Sequence, residues 1–205
     1  MSFDLDVAAR VGDRIIACRI ESGEGLTVLF GPSGIGKTSV LNMVAGLRRP
    51  DDGHIRVGDR LLFDADAGVD VPVEARRAGY VFQEPRLFPH LTVRANLAYG
   101  MPDLAGPDAP GWEDALAFLG IGGLLDRWPR SLSGGEARRV AIGRALLSDP
   151  GFLLLDEPLS SLDRARREEI MAVLEQLRDR VRLPILMVTH DRGEAERLAT
   201  RIVEM

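Results

Sequence analysis

Two absences set the first limits on this sequence of 205 residues, which has one cysteine and no long hydrophobic segment. The cysteine, Cys18, excludes a disulfide framework and a cysteine-based metal site, and its apolar surroundings predict a buried strand thiol. No apolar run approaches the roughly 18 residues needed to cross a bilayer. Residues 1–6 lack the basic and apolar regions of a signal peptide, so none is expected. Any membrane role is therefore expected to come through a partner.

A surplus of basic residues is also absent. The sequence has 26 Lys and Arg against 31 Asp and Glu, which gives a formal net charge of −5. Because nucleic-acid-binding proteins usually carry a basic surplus, this balance argues against nucleic acid as the main partner. The remaining composition, 45% hydrophobic and 28% charged, is that of a folded protein with a full core. Residues 1–205 contain no internal repeat or low-complexity tract and are expected to form a single domain.

Strand patterns alternate with helix patterns along most of the chain. Short apolar runs at 26–30, 152–155 and 185–188 are typical of buried parallel strands. Alternating apolar residues before them, at 3–7 and 14–20, predict two further strands around a short turn. This order of elements indicates an α/β domain with a largely parallel central sheet.

Other segments have their own local signals. A helix is predicted from about Lys37 to Ala45, where Gly46 ends it. Apolar residues at 3- and 4-residue spacing between 170 and 181 predict another helix with one buried face. Further predicted segments are strands at 54–63 and 78–82, a loop rich in Pro, Gly and Asp at 102–111, and a helical insertion at about 85–145.

A glycine-rich loop follows the first buried apolar run and precedes a predicted helix. Its sequence matches G-x-x-x-x-G-K-[ST], which in this strand–loop–helix context indicates a phosphate-binding loop. Glycines let backbone N–H groups turn inward around phosphates, and the helix N-terminus adds a favourable dipole. Lys37 is expected to reach the β- and γ-phosphates, and Thr38 to offer its hydroxyl to Mg²⁺. The predicted nucleotide-binding residues are Gly31, Pro32, Ser33, Gly34, Ile35, Gly36, Lys37, Thr38 and Ser39.

Two acids and a second glycine loop extend this site. The run 152–155 ends in Asp156 and Glu157, and ligands gather at the carboxyl ends of parallel strands. Asp156 is therefore a candidate Mg²⁺ ligand, and Glu157 is placed to deprotonate an attacking water. The second loop, Leu132-Ser133-Gly134-Gly135-Glu136, opens a helical run to Leu147. Since one nucleotide seldom needs two such loops, the second suggests a nucleotide bound by another copy of the chain.

These motifs, in this order, resemble those of the ATP-binding subunits of ABC transporters, and the resemblance covers essentially the whole chain. Leu132–Glu136 is similar to the signature of that family, although Glu136 stands where Gln is more usual. The resemblance implies an α/β fold of the P-loop NTPase (RecA-like) type. Its mostly parallel core sheet is accompanied by an N-terminal antiparallel β subdomain and an inserted helical signature subdomain.

The same resemblance assigns roles to three further residues. Gln83 is similar to the glutamine that contacts Mg²⁺ and senses the membrane subunit. Asp163 lies in a segment that resembles the loop linking two active sites across a dimer. His190 is similar to the histidine that contacts the γ-phosphate. His54 and His90 match no family motif and are expected to be ordinary structural or surface residues.

The implied mechanism uses two copies of the chain and the cofactors ATP and Mg²⁺. Each ATP would lie between Gly31–Thr38 of one copy and the second loop of the other, which supplies Ser133, Gly134, Gly135 and Glu136. Hydrolysis would use Glu157 as the base and His190 to hold water and γ-phosphate in line. Lys37 and Gln83 are the other two residues expected to take part in catalysis.

Within the family, segment 76–93 resembles importer ATPases for oxyanions, and segments 96–101 and 131–136 resemble molybdate importers. The resemblance implies a subunit at the cytoplasmic face of the inner membrane. It would bind integral membrane permease subunits and, through them, a solute-binding protein. An apolar patch is predicted from Phe82, Leu87, Phe88 and Leu91. A helix of the permease is expected to dock on this patch. The alternative is that these side chains pack the helical insertion internally. The sequence ends just after the last core strand begins, so no C-terminal regulatory β domain, common in such importers, is expected.

Two points stay open in the sequence. The family commonly stacks adenine on an aromatic side chain, but the only aromatic before Phe30 is Phe3, which leaves the guanidinium of Arg14 as a candidate. The alternative function is that of a soluble ABC-type ATPase in DNA maintenance or translation. The short distance between Gln83 and Leu132, the single phosphate-binding loop and the acidic balance disfavour it. A small P-loop kinase would leave the second loop unexplained.

Overall fold

The computed structural model describes residues 2–101 and 111–205, and within these it forms two sheets flanked by helices. The predicted loop at 102–111 lies, apart from its last residue, outside the described residues. The strands are β1 (Phe3–Val11), β2 (Arg14–Ser22), β3 (Leu26–Phe30), β4 (Asp52–Val57), β5 (Arg60–Asp64), β6 (Val69–Asp70), β7 (Ala78–Val81), β8 (Phe152–Asp156), β9 (Ile185–Thr189) and β10 (Arg201–Glu204). The helices are α1 (Lys37–Ala45), α2 (Val73–Arg76), α3 (Val93–Ala98), α4 (Trp112–Leu119), α5 (Gly134–Leu147), α6 (Arg164–Arg180) and α7 (Arg192–Leu198).

The central sheet is parallel and has the strand order β10-β3-β9-β8-β7. Its strands β3, β8 and β9 are the three buried apolar runs, and strands buried on both faces are expected to be continuously apolar. Because all these strands point the same way, the segments that follow β3, β8 and β9 meet at one edge of the sheet. The first glycine loop, the two acids and His190 follow those strands.

The second sheet is antiparallel and has the order β2-β1-β4-β5-β6. Apolar and polar residues alternate along β1, so that Phe3, Leu5 and Val7 are buried on one face, as the sequence predicts. Cys18 on β2 is also buried, and burial raises the pKa of its thiol to about 11. The predicted buried strand thiol is therefore confirmed.

The core consists of two layers on either side of the parallel sheet. Alternate residues of β8 separate them: Phe152 and Leu154 face α1 and the antiparallel sheet, whereas Leu153 and Leu155 face helices α3 to α7. Phe3 and Phe152 join the two sheets edge to face, with 6.2 Å between their ring centroids. The sequence-based expectation of an α/β architecture with a parallel core sheet is confirmed.

The predicted element boundaries agree closely with the structure in the core. Helix α1 has the predicted limits and ends because Gly46 takes the left-handed conformation with φ 82°. Helices α3, α4 and most of α5 lie in the region 85–145, and α5 continues to Leu147. No helix within the described residues is long and apolar enough to cross a bilayer.

Candidate functional site

The first glycine loop connects β3 to α1 and encloses the side chain of Lys37. Lys37 is 4% exposed, and its Nζ donates hydrogen bonds to the carbonyl oxygens of Gly31 at 2.7 Å and Pro32 at 2.9 Å. Burial lowers the pKa of Lys37, whereas the negative charges of Glu157 and Asp156 oppose this shift. Gly36 has φ 118°, and a Cβ there would lie 2.6 Å from Cδ1 of Ile16, so this loop conformation requires glycine.

Thr38 and Asp156 form a pair of oxygen donors at the end of the sheet. The hydroxyl of Thr38 donates to Oδ1 of Asp156 at 2.9 Å, which joins the start of α1 to the end of β8. Asp156 is buried, and burial raises the pKa of its carboxyl while the hydrogen bond from Thr38 opposes that rise. A hydroxyl and a carboxylate at this spacing are hard oxygen ligands, and the pair fits a cation such as Mg²⁺.

Glu157 and His190 form the second pair of the site. Oε1 of Glu157 lies 3.1 Å from Nδ1 of His190 and 4.0 Å from Nζ of Lys37. The backbone of Glu157 is left-handed, with φ 42°, and its N–H donates to the carbonyl of Val188 at 3.1 Å. Such a backbone is unfavourable for a residue with a side chain and is concentrated at functional sites. His190 is half exposed, so this carboxylate–imidazole pair opens to solvent.

Gln83 lies between these two pairs. Its exposed side chain follows β7 and lines the cleft that contains Thr38 and Asp156. It also lines the adjoining cleft that contains Glu157 and His190, where Ser33 of the first loop lies as well. The structure thus brings together the first loop, Gln83, Asp156, Glu157 and His190 at one edge of the parallel sheet.

The second glycine loop forms the start of helix α5. Ser133 is the N-cap: its Oγ accepts from the N–H of Glu136 at 3.3 Å, and its own N–H donates to Oε2 of Glu136 at 2.7 Å. Oε1 of Glu136 also accepts from Nη1 of Arg127 at 3.1 Å. The hydrogen bond from the Ser133 backbone is the largest cause of a lowered pKa at Glu136. Glu136 therefore completes a capping box, a role that the pattern S-x-x-E could have revealed.

The remaining predicted site residues lie at the margin of these clefts. Gly134 is exposed and lines the cleft of Thr38 and Asp156, whereas Ser133, Gly135 and Glu136 are not among the described residues that line it. Asp163 is the N-cap of α6 and accepts from the N–H of Arg166 at 3.0 Å. Ser161, just before it, has a left-handed φ of 59°. No residue of the second loop is among the described residues that line the cleft of Glu157 and His190 in the same chain.

Sequence reasoning did not identify Arg138 as a residue of this site. Arg138 lies on α5, is 3% exposed and lines the same cleft as Thr38, Asp156 and Gln83. Its Nη1 donates to the carbonyl oxygen of Phe82, the residue before Gln83, at 2.8 Å. The available signal was an arginine two residues before the apolar run Val140–Ile142, on a helix that must bury one face.

The two histidines without a motif lie apart from this site. Nε2 of His54 lies 3.2 Å from Oδ1 of Asp4 on the antiparallel sheet. His90 is exposed and lies beside Phe88, with 6.1 Å between their ring centroids. Neither histidine lines the clefts that contain Gln83.

Comparison with known proteins gives consistent matches. The family model described as ABC transporter matches residues 14–160. The molybdenum import ATP-binding protein ModC of Mesorhizobium japonicum is 52% identical over 204 residues, which are 99% of this chain and 55% of that protein. The protein of the same name from Rhodospirillum rubrum is 53% identical over 201 residues, 98% of this chain and 54% of that protein. The chain thus spans about half the length of the curated relatives it matches.

Solved structures show the same fold. The dimeric post-hydrolysis state of the ATP-binding cassette MJ0796, bound to ADP and Pi, has a TM-score of 0.75 and 28% sequence identity. The match covers 100% of this chain and 93% of that one. A second dimeric structure of MJ0796, a bacterial ABC transporter cassette, has the same TM-score and 29% identity, over 99% of this chain and 94% of the other. The fold, the ordered motifs and these matches lead to one conclusion: the chain belongs to the ABC transporter family.

Proposed function

We propose that the chain binds and hydrolyses ATP as the ATP-binding subunit of an importer for a small oxyanion such as molybdate. The observation that carries the ATPase part is the pair of Glu157 and His190, 3.1 Å apart and beside the loop that encloses Lys37. Support for the oxyanion comes from relatives about 52% identical, which are named as molybdenum import proteins. Those names favour transport over the alternative of a soluble ABC-type ATPase.

Binding of the ATP phosphates would use the first loop. Lys37 is already held inside it by two carbonyl oxygens, and a phosphate oxygen would replace these neutral partners with a charged one. The backbone N–H groups of 33–39 and the N-terminus of α1 favour the same anion. Because Lys37 is buried, its charge lies in a region of low dielectric, where its attraction to a phosphate oxygen is stronger than in water.

Mg²⁺ would be held by the hydroxyl of Thr38, the carboxylate of Asp156 and the side-chain amide of Gln83. The first two are 2.9 Å apart, and all three line one cleft. When bound, the ion neutralises phosphate charge that develops during hydrolysis. Asp156 must be ionised to take this role, and the nearby positive charge of Lys37 favours its ionised form.

Water attack would be directed by Glu157 and His190. The carboxylate of Glu157 would accept a proton from the attacking water as the water oxygen bonds to the γ-phosphorus, while the bond from that phosphorus to the β–γ bridging oxygen breaks and ADP leaves with that oxygen. His190 lies 3.1 Å from that carboxylate. It would hold the carboxylate in place and keep the attacking water in line with the γ-phosphate. Gln83 borders the same cleft and would complete the polar surroundings of the water.

A second copy of the chain would complete each site. Gly134 is exposed at the start of α5, and Asp163 caps α6 at a half-exposed position. In a head-to-tail dimer, Ser133, Gly134 and Gly135 would face the phosphates bound by the other copy, with Glu136 holding their loop in shape. Asp163 would lie between the two sites. The matched MJ0796 structures are dimeric, which supports this arrangement.

Integral membrane permease subunits are the other proposed partners, and a solute-binding protein would act through them. Tyr99 is 67% exposed and packs on Phe88, with 4.3 Å between ring centroids, while Leu87 packs against the core. Phe82, Phe88 and Leu91 are half-buried, so the patch both packs the insertion and presents aromatic surface for a permease helix. The protein would then work at the cytoplasmic face of the inner membrane.

Replacing Glu157 with Gln tests the hydrolytic part of this proposal. The amide cannot accept the proton of the attacking water, so turnover should fall by roughly 10²–10⁴-fold, the usual effect of losing a general base. ATP binding should be retained, because the loop and the Thr38–Asp156 pair are unchanged. Phosphate release and fluorescent-nucleotide binding measure the two quantities. Near-normal turnover would contradict the assignment of Glu157.

A further inference from the structure

Helix α5 carries two arginines, the buried Arg138 and the half-buried Arg144, that hold the segment around Gln83. Nη1 of Arg138 donates to the carbonyl of Phe82 at 2.8 Å. Six residues further on, Nη1 of Arg144 donates to the carbonyl of Arg86 at 3.0 Å, and its Nη2 lies 3.4 Å from the carbonyl of Pro85. Backbone oxygens on both sides of Gln83 are therefore bound to one helix.

The contact of Arg138 is unusual because it places a charge in the interior. Arg138 is 3% exposed, and no acid within the described residues lies at ion-pair distance from it. Its Nε is buried without a hydrogen-bond partner, and burial lowers the pKa of its guanidinium. An unpaired buried charge is costly, so packing alone does not explain an arginine at this position.

The location of Arg138 indicates a role for its buried charge. Arg138 lies one turn of α5 after Gly134 of the second glycine loop, and it lines the cleft of Thr38, Asp156 and Gln83. Asp156 is the charged group that most favours its protonated form. Arg138 thus joins the start of α5, where a second copy is proposed to act, to the peptide unit that precedes Gln83.

We propose that Arg138 is a positioning residue that sets the side chain of Gln83 by holding the carbonyl of Phe82. This inference rests on the proposed function, in which Gln83 contacts Mg²⁺. Because Arg138 is hydrogen-bonded to the carbonyl of Phe82, a shift of α5 would move the Phe82–Gln83 peptide together with Arg138. The second glycine loop and the cation site are then coupled inside a single chain, without contact between Arg138 and the ion.

The test compares ATP affinity with and without Mg²⁺, measured by fluorescent-nucleotide titration. The ratio of the two affinities reports the contribution of the cation and is separate from turnover. Arg138→Met should lower this ratio by about 10-fold, the order expected when a hydrogen bond from a charged donor is lost. Arg138→Lys, which keeps one charged donor, should restore part of it. Affinity without Mg²⁺ should stay unchanged.

Arg139→Met is the matched control. Arg139 is the next residue of α5, but its Nη1 donates to Oε2 of Glu169 on α6 at 2.7 Å, away from the Gln83 segment. The control should keep the wild-type ratio, with thermal unfolding recorded for each variant. If Arg138→Met does not fold, Arg138→Lys and Arg138→Gln supply the same comparison.

A double-mutant cycle with Gln83→Ala separates positioning from simple packing. If Arg138 acts through Gln83, Arg138→Met should change the Mg²⁺ ratio little in the Gln83→Ala background. Fully additive effects, or an unchanged ratio in Arg138→Met alone, would overturn the inference. Failure of the wild-type protein to bind ATP with Mg²⁺ would contradict the proposed function instead, so the two failures are distinct.

Discussion

At the scale of single residues, the site contains two buried groups of opposite charge, Lys37 and Asp156. Among the described residues, neither has an oppositely charged group within hydrogen-bond distance. Burial lowers the pKa of Lys37 and raises that of Asp156, so the interior disfavours the charged form of both. In the proposed function, phosphate would supply a negative partner for Lys37, and a divalent cation would supply a positive one for Asp156. In the proposed function, substrate binding therefore offsets the desolvation of both residues.

Glu136 is predicted to make stability depend on pH. Its pKa is lowered in the folded state, first by the hydrogen bond from the Ser133 backbone, so it stabilises the fold above its ordinary value of 4.5. That contribution is lost as the pH falls below 4.5 through the folded-state value. Glu136→Gln should lower the free energy of unfolding by about 1 kcal/mol at pH 7 and by much less near the acid end.

Urea unfolding of both proteins at several pH values measures this difference. The glutamine keeps the length of the side chain and one oxygen that can accept the Ser133 N–H, but it loses the charge and the second oxygen that accepts from Arg127. Wild-type and variant stabilities should converge as the pH falls. A gap that stays the same from neutral to acid pH would contradict the assigned role of the carboxylate.

The sequence predicts the positions of residues that directly follow a core strand better than the contacts between residues that are far apart in the sequence. Lys37, Thr38 and Asp156 lie where the motif and the strand end indicate, because covalent connection to β3 and β8 fixes them. Arg138 was missed because its contact with Phe82 spans 56 positions of sequence. No local pattern encodes a hydrogen bond between two elements that only tertiary packing brings together.

At the scale of elements, helix α3 is held by one fully buried side chain. The amide of Asn96 donates to the carbonyls of Phe88, Leu91 and Thr92 at 3.0–3.1 Å, and its Oδ1 accepts from the N–H of Phe88 at 2.8 Å. Asn96 is 0% exposed, so water does not replace these bonds. The segment from Phe88 to Thr92 depends on this residue for its shape.

Asn96→Ala should lower the free energy of unfolding by about 2–4 kcal/mol, since it removes the partner of the Phe88 N–H and of the Leu91 carbonyl and a second donor to two other carbonyls. Urea denaturation monitored by the fluorescence of the two tryptophans measures the change. Arg94→Ala on the same helix is the control. Its exposed ion pair with Asp126, at 3.7 Å, should contribute under about 1 kcal/mol. Equal effects from the two variants would refute the anchoring role of Asn96.

Elements with a strong hydrophobic period were predictable, and short ones were not. Strands β3, β8 and β9 have continuous apolar runs, and α6 buries Ile170, Val173, Leu174 and Leu177 on the predicted face. Strand β6 has two residues and α2 has four, too few to show a period. These short elements are determined by pairing and packing with distant segments, which local sequence does not contain.

At the scale of the whole molecule, the sequence predicts which motifs exist but not their relative positions. The order of strands brings the first loop, Asp156, Glu157 and His190 to one edge, as any parallel sheet would. Whether the second glycine loop reaches its own nucleotide depends on how α5 packs on the sheet. Ser133 and Glu136 cap α5, and Gly134 is the one residue of this loop among the described residues that line the clefts of the site, which supports the proposal that a second copy uses this loop.

Ser133→Arg is predicted to block ATP-driven dimerisation. In the proposed head-to-tail dimer, Ser133 faces the phosphates of the other copy, where a long cationic side chain would clash with the partner loop. The monomer should still bind ATP, because Ser133 is not among the described residues that line the two clefts of its own chain. Light scattering with ATP, in the Glu157→Gln background that slows hydrolysis, measures the mass.

Gly123→Arg is the control for that experiment. Gly123 is exposed in the same insertion, and a Cβ there would meet no atom within 4 Å, so the variant adds the same charge without a packing change. This control should dimerise as the parent does. Dimerisation that persists in Ser133→Arg would place the second glycine loop outside the interface between copies. The capping box would then be the main role of Ser133, because its hydrogen bonds to Glu136 lie entirely within one chain.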